Sequence, residues 1–248
     1  MIVLKSPREI GIMRRAGRIV AEILERLRQV AKPGVTTLDL DALAERLTRG
    51  AGALPAFQGY RGYRHALCTS VNEQVVHGIP GRRVLKEGDV VGIDFGVIVE
   101  GFYGDAAVTV PVGRVGEAAR RLIEATEESL RLGIANATAR HRLHDIGAAV
   151  QAFAEARGYS VVREYVGHGI GRELHEAPQV PNFGDPGTGI RLRPGMTLAI
   201  EPMINAGGRD VETLEDGWTV VTRDRSLSAH FEHTIAITDN GTEILTTL

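Results

Sequence analysis

Four stretches of the chain carry apolar residues at the spacing of amphipathic helices. The first begins at Ser6 and Pro7, where Glu9 completes a capping box, and it stops at the "KPG" of residues 32–34. The same kind of pattern predicts helices over residues 38–49, 117–132 and 144–157. The apolar positions of the first helix are Ile10, Met13, Ile19, Ile23, Leu27 and Val30.

Two blocks of sequence repeat one pattern, L-x-x-G-x-x-x-x-I-[DE]. Residues 85–94 end in Asp94, and residues 192–201 end in Glu201. Each block predicts a turn, a buried strand and a carboxylate at the end of that strand. A further apolar stretch follows each block and is expected to place Asp105 or Glu232 at the head of another strand.

The repetition extends to short motifs and to the order of the elements. "HGIP" at residues 77–80 precedes the first block, and "HGIG" at residues 168–171 precedes the second. Each half predicts helix, helix, strands, with the halves at roughly 1–112 and 113–248, and no linker or low-complexity tract separates them. We therefore predict a single α+β catalytic domain, internally duplicated, in which helices cover one side of a curved antiparallel sheet.

Composition narrows the class of protein. The 248 residues contain 29 basic and 31 acidic side chains, a net charge of −2, so no general attraction to nucleic acid or an anionic membrane is expected. The single cysteine, Cys68, excludes an intramolecular disulfide and fits a reducing compartment. The first residues, "MIVLKSPREI", lack the basic and long apolar segments that are typical of an export signal, and no run approaches the ~20 apolar residues that span a bilayer. We expect a cytoplasmic enzyme without nucleic-acid or membrane partners.

The four acids at the ends of the apolar stretches predict a metal site. A bare buried charge costs several kcal/mol unless it is paired or bound to a metal. Each acid alone could cap a turn or pair with an arginine, but their symmetric placement favours one constellation. Carboxylates and a histidine suit manganese, iron, cobalt or zinc. The sequence lacks H-E-x-x-H, G-x-S-x-G and phosphate-loop motifs, which leaves metal-assisted hydrolysis as the leading reaction class.

The chain resembles the type I, bacterial form of the methionine aminopeptidases over essentially its whole length. That resemblance implies the pita-bread fold, whose two halves are related by a pseudo-twofold axis, and removal of N-terminal methionine ahead of a small second residue. The segments that carry it are "GYRGY", "CTSVNEQVVHGIP", "GDVVGIDFG", "YGDAAVT", "VGHGIGRELHEAPQVPNF", "GMTLAIEPM", "DGWT" and "SAHFEHTIAIT".

The resemblance also implies two divalent metal ions, drawn from cobalt, manganese, iron and zinc. Asp105 and Glu232 would bridge both ions, Asp94 would chelate one, and His168 with Glu201 would complete the other. A metal-bridging hydroxide would attack the scissile carbonyl while the substrate's free amine binds the ion held by Asp94, and Glu201 would shuttle the proton.

Two further histidines receive catalytic roles from the resemblance. His77 would lie near the amide nitrogen after the methionine, and His175 would donate to the carbonyl oxygen as that oxygen gains charge. The remaining histidines are expected to be structural or surface residues: His65, His141, His144, His230 and His233.

By the same resemblance an apolar, polarisable pocket holds the methionine side chain. The sequence departs from the family's commonest pattern at Phe57, where a small or sulfur-bearing residue is frequent, and at Leu174, where an aromatic residue is usual. Three residues match positions that bind one sodium or potassium ion: Asn72, Gln74 and Ser228. The pocket residues are Tyr60, Tyr63, Cys68, Leu174 and Trp218.

Three other classes of protein with this fold agree less well with the sequence. Aminopeptidase P and prolidase carry an additional N-terminal domain, for which there is no room before His77. Type II methionine aminopeptidases carry an insert between the last two ligands, whereas Glu232 lies only 31 positions after Glu201. Non-enzymatic proteins of this fold lose metal ligands, and this chain keeps all five. The expected partners are the N-termini of nascent polypeptides, with transient ribosome contact, and we expect a monomer.

Overall fold

The computed structural model describes residues 2–248, and its four helices are those that the sequence predicts, with ends shifted by at most three residues. They are α1 (Pro7–Val30), α2 (Thr37–Gly50), α3 (Glu117–Ala135) and α4 (Leu143–Glu155). The capping box at the start of α1 forms, because the Ser6 hydroxyl accepts from the Glu9 backbone and the Glu9 carboxylate accepts from the Ser6 backbone. None of the helices found in this range is long and apolar enough to cross a membrane.

Fifteen strands and one 3₁₀ turn at Tyr60–Gly62 complete the fold in the described part of the chain. The strands are β1 (Leu54–Pro55), β2 (Leu67–Val71), β3 (Gln74–Val76), β4 (Val90–Val99), β5 (Phe102–Pro111), β6 (Ser160–Val161), β7 (Gly167–Gly169), β8 (Glu176–Val180), β9 (Thr197–Ile200), β10 (Met203–Asn205), β11 (Val211–Thr213), β12 (Val220–Thr222), β13 (Ser228–His230), β14 (Glu232–Thr238) and β15 (Gly241–Ile244).

The main sheet has nine antiparallel strands whose order reflects the duplication. Its main path is β1-β4-β5-β14-β9-β7-β8, with β2 added on β4 and β15 on β14. The strands of the two repeated blocks, β4 and β9, flank β5 and β14, which meet in the middle through the pairs Ala107 with Glu232 and Ala106 with His233. The turn glycines of the two blocks also match, since Gly88 has a φ of 93° and Gly195 a φ of 89°.

The helices and the sheet enclose several apolar clusters; the largest of each half lies under its helices, and a third cluster joins the two halves. The buried residues of the first core lie between Ala16 and Val112, under α1 and α2. Those of the second lie between Leu130 and Ile237, under α3 and α4. The third cluster combines residues of both halves, among them Phe57, Leu174 and Ala236. This architecture, helices over a curved antiparallel sheet, is the predicted α+β pita-bread fold.

Candidate active site

One pocket collects most of the residues that the sequence singled out. It encloses about 460 Å³, including the part that is open to solvent. One side of the lining is acidic and imidazole-rich, and the other side is apolar and aromatic. The lining residues are Phe57, Tyr60, Tyr63, Cys68, His77, Asp94, Asp105, His168, Leu174, His175, Glu201, Trp218 and Glu232.

The strand register explains how the acids converge. Ala107 of β5 pairs with Asp94 on one side and with Glu232 on the other, so these two carboxylates share a row and a face of the sheet. Asp105 precedes Ala107 by two positions and therefore points to the same face. The expectations that Asp94 ends its strand and that Asp105 begins one are wrong, because both acids lie inside the ten-residue strands β4 and β5. Strands buried on both faces extend on both sides of such an acid without a change of pattern, which hid their true ends.

The second half adds His168 and Glu201 to the same face. His233 of β14 pairs with Ile200 of β9, so the register continued by one position sets Glu201 beside Glu232. His168 of β7 pairs with Ala199, two positions before Glu201. The Nε2 atom of His168 lies 3.5 Å from Oε1 of Glu201. The Nδ1 atom of His168 lies 2.9 Å from the Gly169 carbonyl oxygen, and donation there leaves the Nε2 lone pair free for a ligand.

The donor set fits divalent metal ions. Asp105, His168 and Glu232 are buried, and one ligand atom from each lies within 4.8 Å of the other two. Within residues 2–248, no hydrogen-bond partner exists for three buried carboxylate oxygens, namely Oδ1 of Asp94, Oδ1 of Asp105 and Oε1 of Glu232. Buried carboxylate oxygens are costly unless something satisfies them. Oxygen and imidazole donors held this close suit a first-row divalent cation.

The electrostatics of the cluster point to the same conclusion. Burial raises the pKa of Asp105 to about 7. Burial, reinforced by the neighbouring carboxylates, also raises the pKa values of Asp94, Glu201 and Glu232 well above their ordinary values. The folded chain thus holds four acids in a setting that disfavours four negative charges. Bound cations would offset the repulsion between these carboxylates and favour their ionised forms.

Close packing explains why a glycine follows the histidine in both copies of the "HG" motif. A Cβ atom on Gly78 would lie 2.1 Å from the Thr69 carbonyl oxygen, and one on Gly169 would lie 2.3 Å from the Ala177 carbonyl oxygen. In both halves the residue after the histidine therefore has to be glycine. His77 itself has a φ of 60°, a left-handed conformation that costs a non-glycine residue about 1–3 kcal/mol. Such strain is typical of functional positions.

His77 and His175 reach the pocket from opposite halves and contact aromatic rings. The Tyr60 hydroxyl lies 2.8 Å from Nδ1 of His175, and donation from the hydroxyl would leave the proton of the imidazole on Nε2. The ring centroids of His175 and His168 are 4.2 Å apart. His77 packs edge-on against Trp218 and Tyr165, and burial lowers its pKa to about 4.

The apolar side of the pocket contains the five residues assigned to methionine binding and also Phe57. Tyr63 and Trp218 pack with ring centroids 4.9 Å apart, and Tyr63 is held by a 3.0 Å hydrogen bond from its hydroxyl to the Leu67 carbonyl. Leu174 and Cys68 are buried beside them. The two positions at which the sequence departs from the family's common pattern therefore lie together in this lining.

The assignment of a monovalent-cation site stays a prediction. Asn72 and Ser228 are adjacent, since the Ser228 backbone N–H donates to the Asn72 carbonyl oxygen over 3.0 Å. The side-chain oxygens of Asn72 and Gln74 accept backbone N–H groups from Val90 and Val71. The Ser228 hydroxyl donates to the side-chain oxygen of Asn205.

Sequence reasoning missed two residues beside this pocket. His230, expected to be structural, is 97% buried, and its Nε2 lies 3.6 Å from Oε2 of Glu201. Tyr165, which received no role, contacts His77 with a centroid separation of 5.6 Å. The position of His230 two residues before Glu232 was an available signal, because alternate residues of adjoining strand segments can reach one face.

Comparison with known proteins agrees with the geometry. The model of metallopeptidase family M24 matches residues 11–239. Methionine aminopeptidase 1 of Bacillus subtilis is 56% identical over 246 residues, which cover 99% of both chains. The methionine aminopeptidase of Escherichia coli K12 is 49% identical over 247 residues, covering 99% of this chain and 94% of the relative.

Solved structures show the same likeness in three dimensions. The methionine aminopeptidase of Thermotoga maritima superimposes with a TM-score of 0.98 at 51% identity, over 100% of both chains. The prolidase of Pyrococcus horikoshii superimposes with a TM-score of 0.79 at 24% identity. This chain covers 64% of the prolidase, and that likeness concerns the fold alone.

Proposed function

The chain belongs to metallopeptidase family M24, among its methionine aminopeptidases, and we propose that it removes the N-terminal methionine of nascent polypeptides whose second residue is small. One observation carries the proposal. Buried carboxylate oxygens lacking hydrogen-bond partners anywhere in residues 2–248 line the same pocket as an apolar, aromatic wall. The pocket thus combines a place for cations with a place for a long apolar side chain.

Five residues would hold two divalent ions, drawn from cobalt, manganese, iron and zinc. Bound divalent ions supply a lowered pKa for water and a polarised carbonyl at neutral pH. Support comes from their arrangement on one face of the sheet and from the raised pKa values of the acids. The five residues are Asp94, Asp105, His168, Glu201 and Glu232.

The remaining polar groups would handle protons and developing charge. Glu201 lies at the edge of the acidic cluster and exposes 14% of its side chain, which suits a carboxylate that accepts a proton and later returns it. His175 would donate from Nε2 to the carbonyl oxygen of the scissile bond, and the Tyr60 hydroxyl 2.8 Å from its Nδ1 supports that tautomer. His77 would donate to the amide on the far side of that bond.

The apolar wall would select the first residue of the substrate. Methionine presents a flexible, polarisable thioether to the rings of Tyr60, Tyr63 and Trp218 and to the Cys68 thiol. Each CH₂ that methionine buries beyond alanine contributes ~0.8 kcal/mol. A small second residue would be favoured because a bulky one would crowd His77.

The biological setting is part of the proposal. A chain that acts on nascent N-termini would work in the cytoplasm, as a monomer in transient contact with ribosomes. Its net charge of −2 offers no general support for nucleic-acid binding, so recognition would centre on the peptide.

Hydrolysis of the peptide Met-Ala-Ser tests the proposal. The purified protein is stripped of metal and then supplied with manganese, cobalt, iron or zinc in separate reactions. Release of free methionine that requires added metal is the expected result. Binding of Met-Ala-Ser without cleavage under every metal would show that the chain is a binding protein of this fold.

A further inference from the structure

The Nε2 atom of His230 is a buried imidazole nitrogen that lies beside the acidic cluster. The residue ends β13 and is only 3% exposed. Its Nε2 atom has no hydrogen-bond partner among the residues of the described chain, and it lies 3.6 Å from Oε2 of Glu201. An unpaired buried imidazole nitrogen is costly, so its place beside an acidic side chain requires an explanation.

The backbone of His230 is fixed on two sides. Its N–H donates to the Thr109 hydroxyl over 2.8 Å, and that hydroxyl donates to the His230 carbonyl oxygen over 2.8 Å. On the other side His230 pairs with Met203 in the small sheet of β6, β10 and β13. The ring therefore extends towards Glu201 from a backbone held by both the main sheet and the small sheet.

Glu201 is flanked by two imidazoles that contact different oxygens. His168 approaches Oε1 at 3.5 Å and His230 approaches Oε2 at 3.6 Å. The hydrogen bond of His168 Nδ1 to the Gly169 carbonyl leaves its Nε2 as a lone pair, suited to a metal ion. A nitrogen lone pair cannot donate a hydrogen bond to a carboxylate. Of these two imidazoles, therefore, His230 is the one that can donate a hydrogen bond to Glu201.

We infer that His230 is a positioning residue whose Nε2–H donates a hydrogen bond to Oε2 of Glu201. A shift of under 1 Å brings 3.6 Å to the ~2.9 Å of an N–H···O hydrogen bond. Hydrogen bonds of catalytic groups commonly tighten by such amounts when the site is loaded. The bond holds the carboxylate in one rotamer, with Oε1 towards His168. This role rests on the proton-transfer role given to Glu201 under the proposed function.

Two substitutions distinguish the hydrogen bond that His230 would donate from the space that its side chain fills. His230→Gln keeps an N–H donor at a similar reach, whereas His230→Leu fills the space without a donor. His144→Leu is the matched control, because His144 bonds Thr188 and is not part of the pocket lining. Circular dichroism and thermal melting establish that each variant is folded.

Three measurements decide the inference. Long-range ¹⁵N correlation NMR of the zinc-loaded wild type should show the proton of the His230 ring on Nε2. His230→Leu should lower kcat by ~10 to 100-fold at nearly unchanged KM, as typical for loss of a residue that orients a ligand. His230→Gln should restore most of that kcat, and His144→Leu should match the wild type. Calorimetry should find two metal ions in every variant.

Several results would overturn the inference. The hydrogen bond from His230 to Glu201 is excluded if the proton of the His230 ring lies on Nδ1 in the zinc-loaded protein. It is also excluded if folded His230→Leu keeps the kcat of the wild type. Loss of one metal ion in both His230→Gln and His230→Leu would make His230 a ligand instead. If the wild type fails to cleave Met-Ala-Ser with any metal, the proposed function is wrong, while the NMR and calorimetric results still decide the hydrogen bond.

Discussion

A carboxylate oxygen of Asp105 lies within 4.8 Å of one of Glu232, although the two residues are separated by 127 positions and belong to different repeats. Each is buried and has an oxygen that no donor in residues 2–248 satisfies. The central pairing of β5 with β14 brings the two halves together at this point. The central contact between the repeats therefore also brings two buried carboxylates together, where a bound cation would relieve their repulsion.

The first prediction concerns these two acids. Asp105→Asn and Glu232→Gln should each remove metal uptake and lower turnover by more than the ~10 to 100-fold that is typical of residues outside the ligand set. The fold should survive, because the amides replace an unfavourable pair of charges. Calorimetric metal titration and Met-Ala-Ser kinetics measure both effects. Asp239→Asn, in the exposed turn before β15, is the control, and normal turnover in a folded Asp105→Asn protein would contradict the assignment.

A second prediction separates the histidines that would touch substrate from the metal ligands. His77→Ala and His175→Ala should bind metal nearly as the wild type does and yet lose kcat, because removing a hydrogen bond made in the transition state costs ~2.7 to 4 kcal/mol. Tyr60→Phe should show a smaller loss, since it removes only the contact that orients His175. If His175→Ala fails to bind metal, His175 is a ligand and its assignment as a donor is wrong.

The sequence predicted the helices and the fold, because amphipathic periodicity and the repeated blocks are local signals. It placed Asp94 and Asp105 at strand ends incorrectly, because a strand buried on both faces continues through the acid without a change of pattern. His230 escaped notice for a different reason. Its position two residues before Glu232 could have placed it near the metal site, but its contact with Glu201 depends on how β13 and β10 pair across the small sheet.

The third prediction tests the packing cause of the repeated "HG" motif. Gly78→Ala and Gly169→Ala should each destabilise the protein by ~1–3 kcal/mol or more, because the added methyl group would overlap a backbone carbonyl that cannot move freely. Gly81→Ala is the matched control, since a Cβ there meets nothing within 4 Å in the described structure. Urea unfolding of the three variants gives the comparison. Equal midpoints for Gly78→Ala and Gly81→Ala would refute the packing explanation.

The last prediction concerns the choice of substrate, first among different peptides and then in a variant of Leu174. The pocket of Tyr60, Tyr63, Cys68 and Trp218 should favour Met-Ala-Ser over Ala-Ala-Ser, because the longer side chain buries more apolar surface. Met-Lys-Ser should be cleaved slowly, since its second side chain would crowd His77. N-formyl or N-acetyl peptides should be inert, because in the proposed site the free amine would be a metal ligand.

Leu174 is buried in the lining, unbranched at Cβ and flexible, where a phenylalanine ring would be flat. We therefore expect the wild type to accept Leu-Ala-Ser to a measurable extent and Leu174→Phe to lower the ratio of kcat/KM for Leu-Ala-Ser to that for Met-Ala-Ser. Leu214→Phe, at an exposed position, serves as the control for an added ring. Equal kcat/KM for all unblocked peptides would overturn the methionine preference. An unchanged leucine-to-methionine ratio in Leu174→Phe would show that this side chain does not set the width of the pocket.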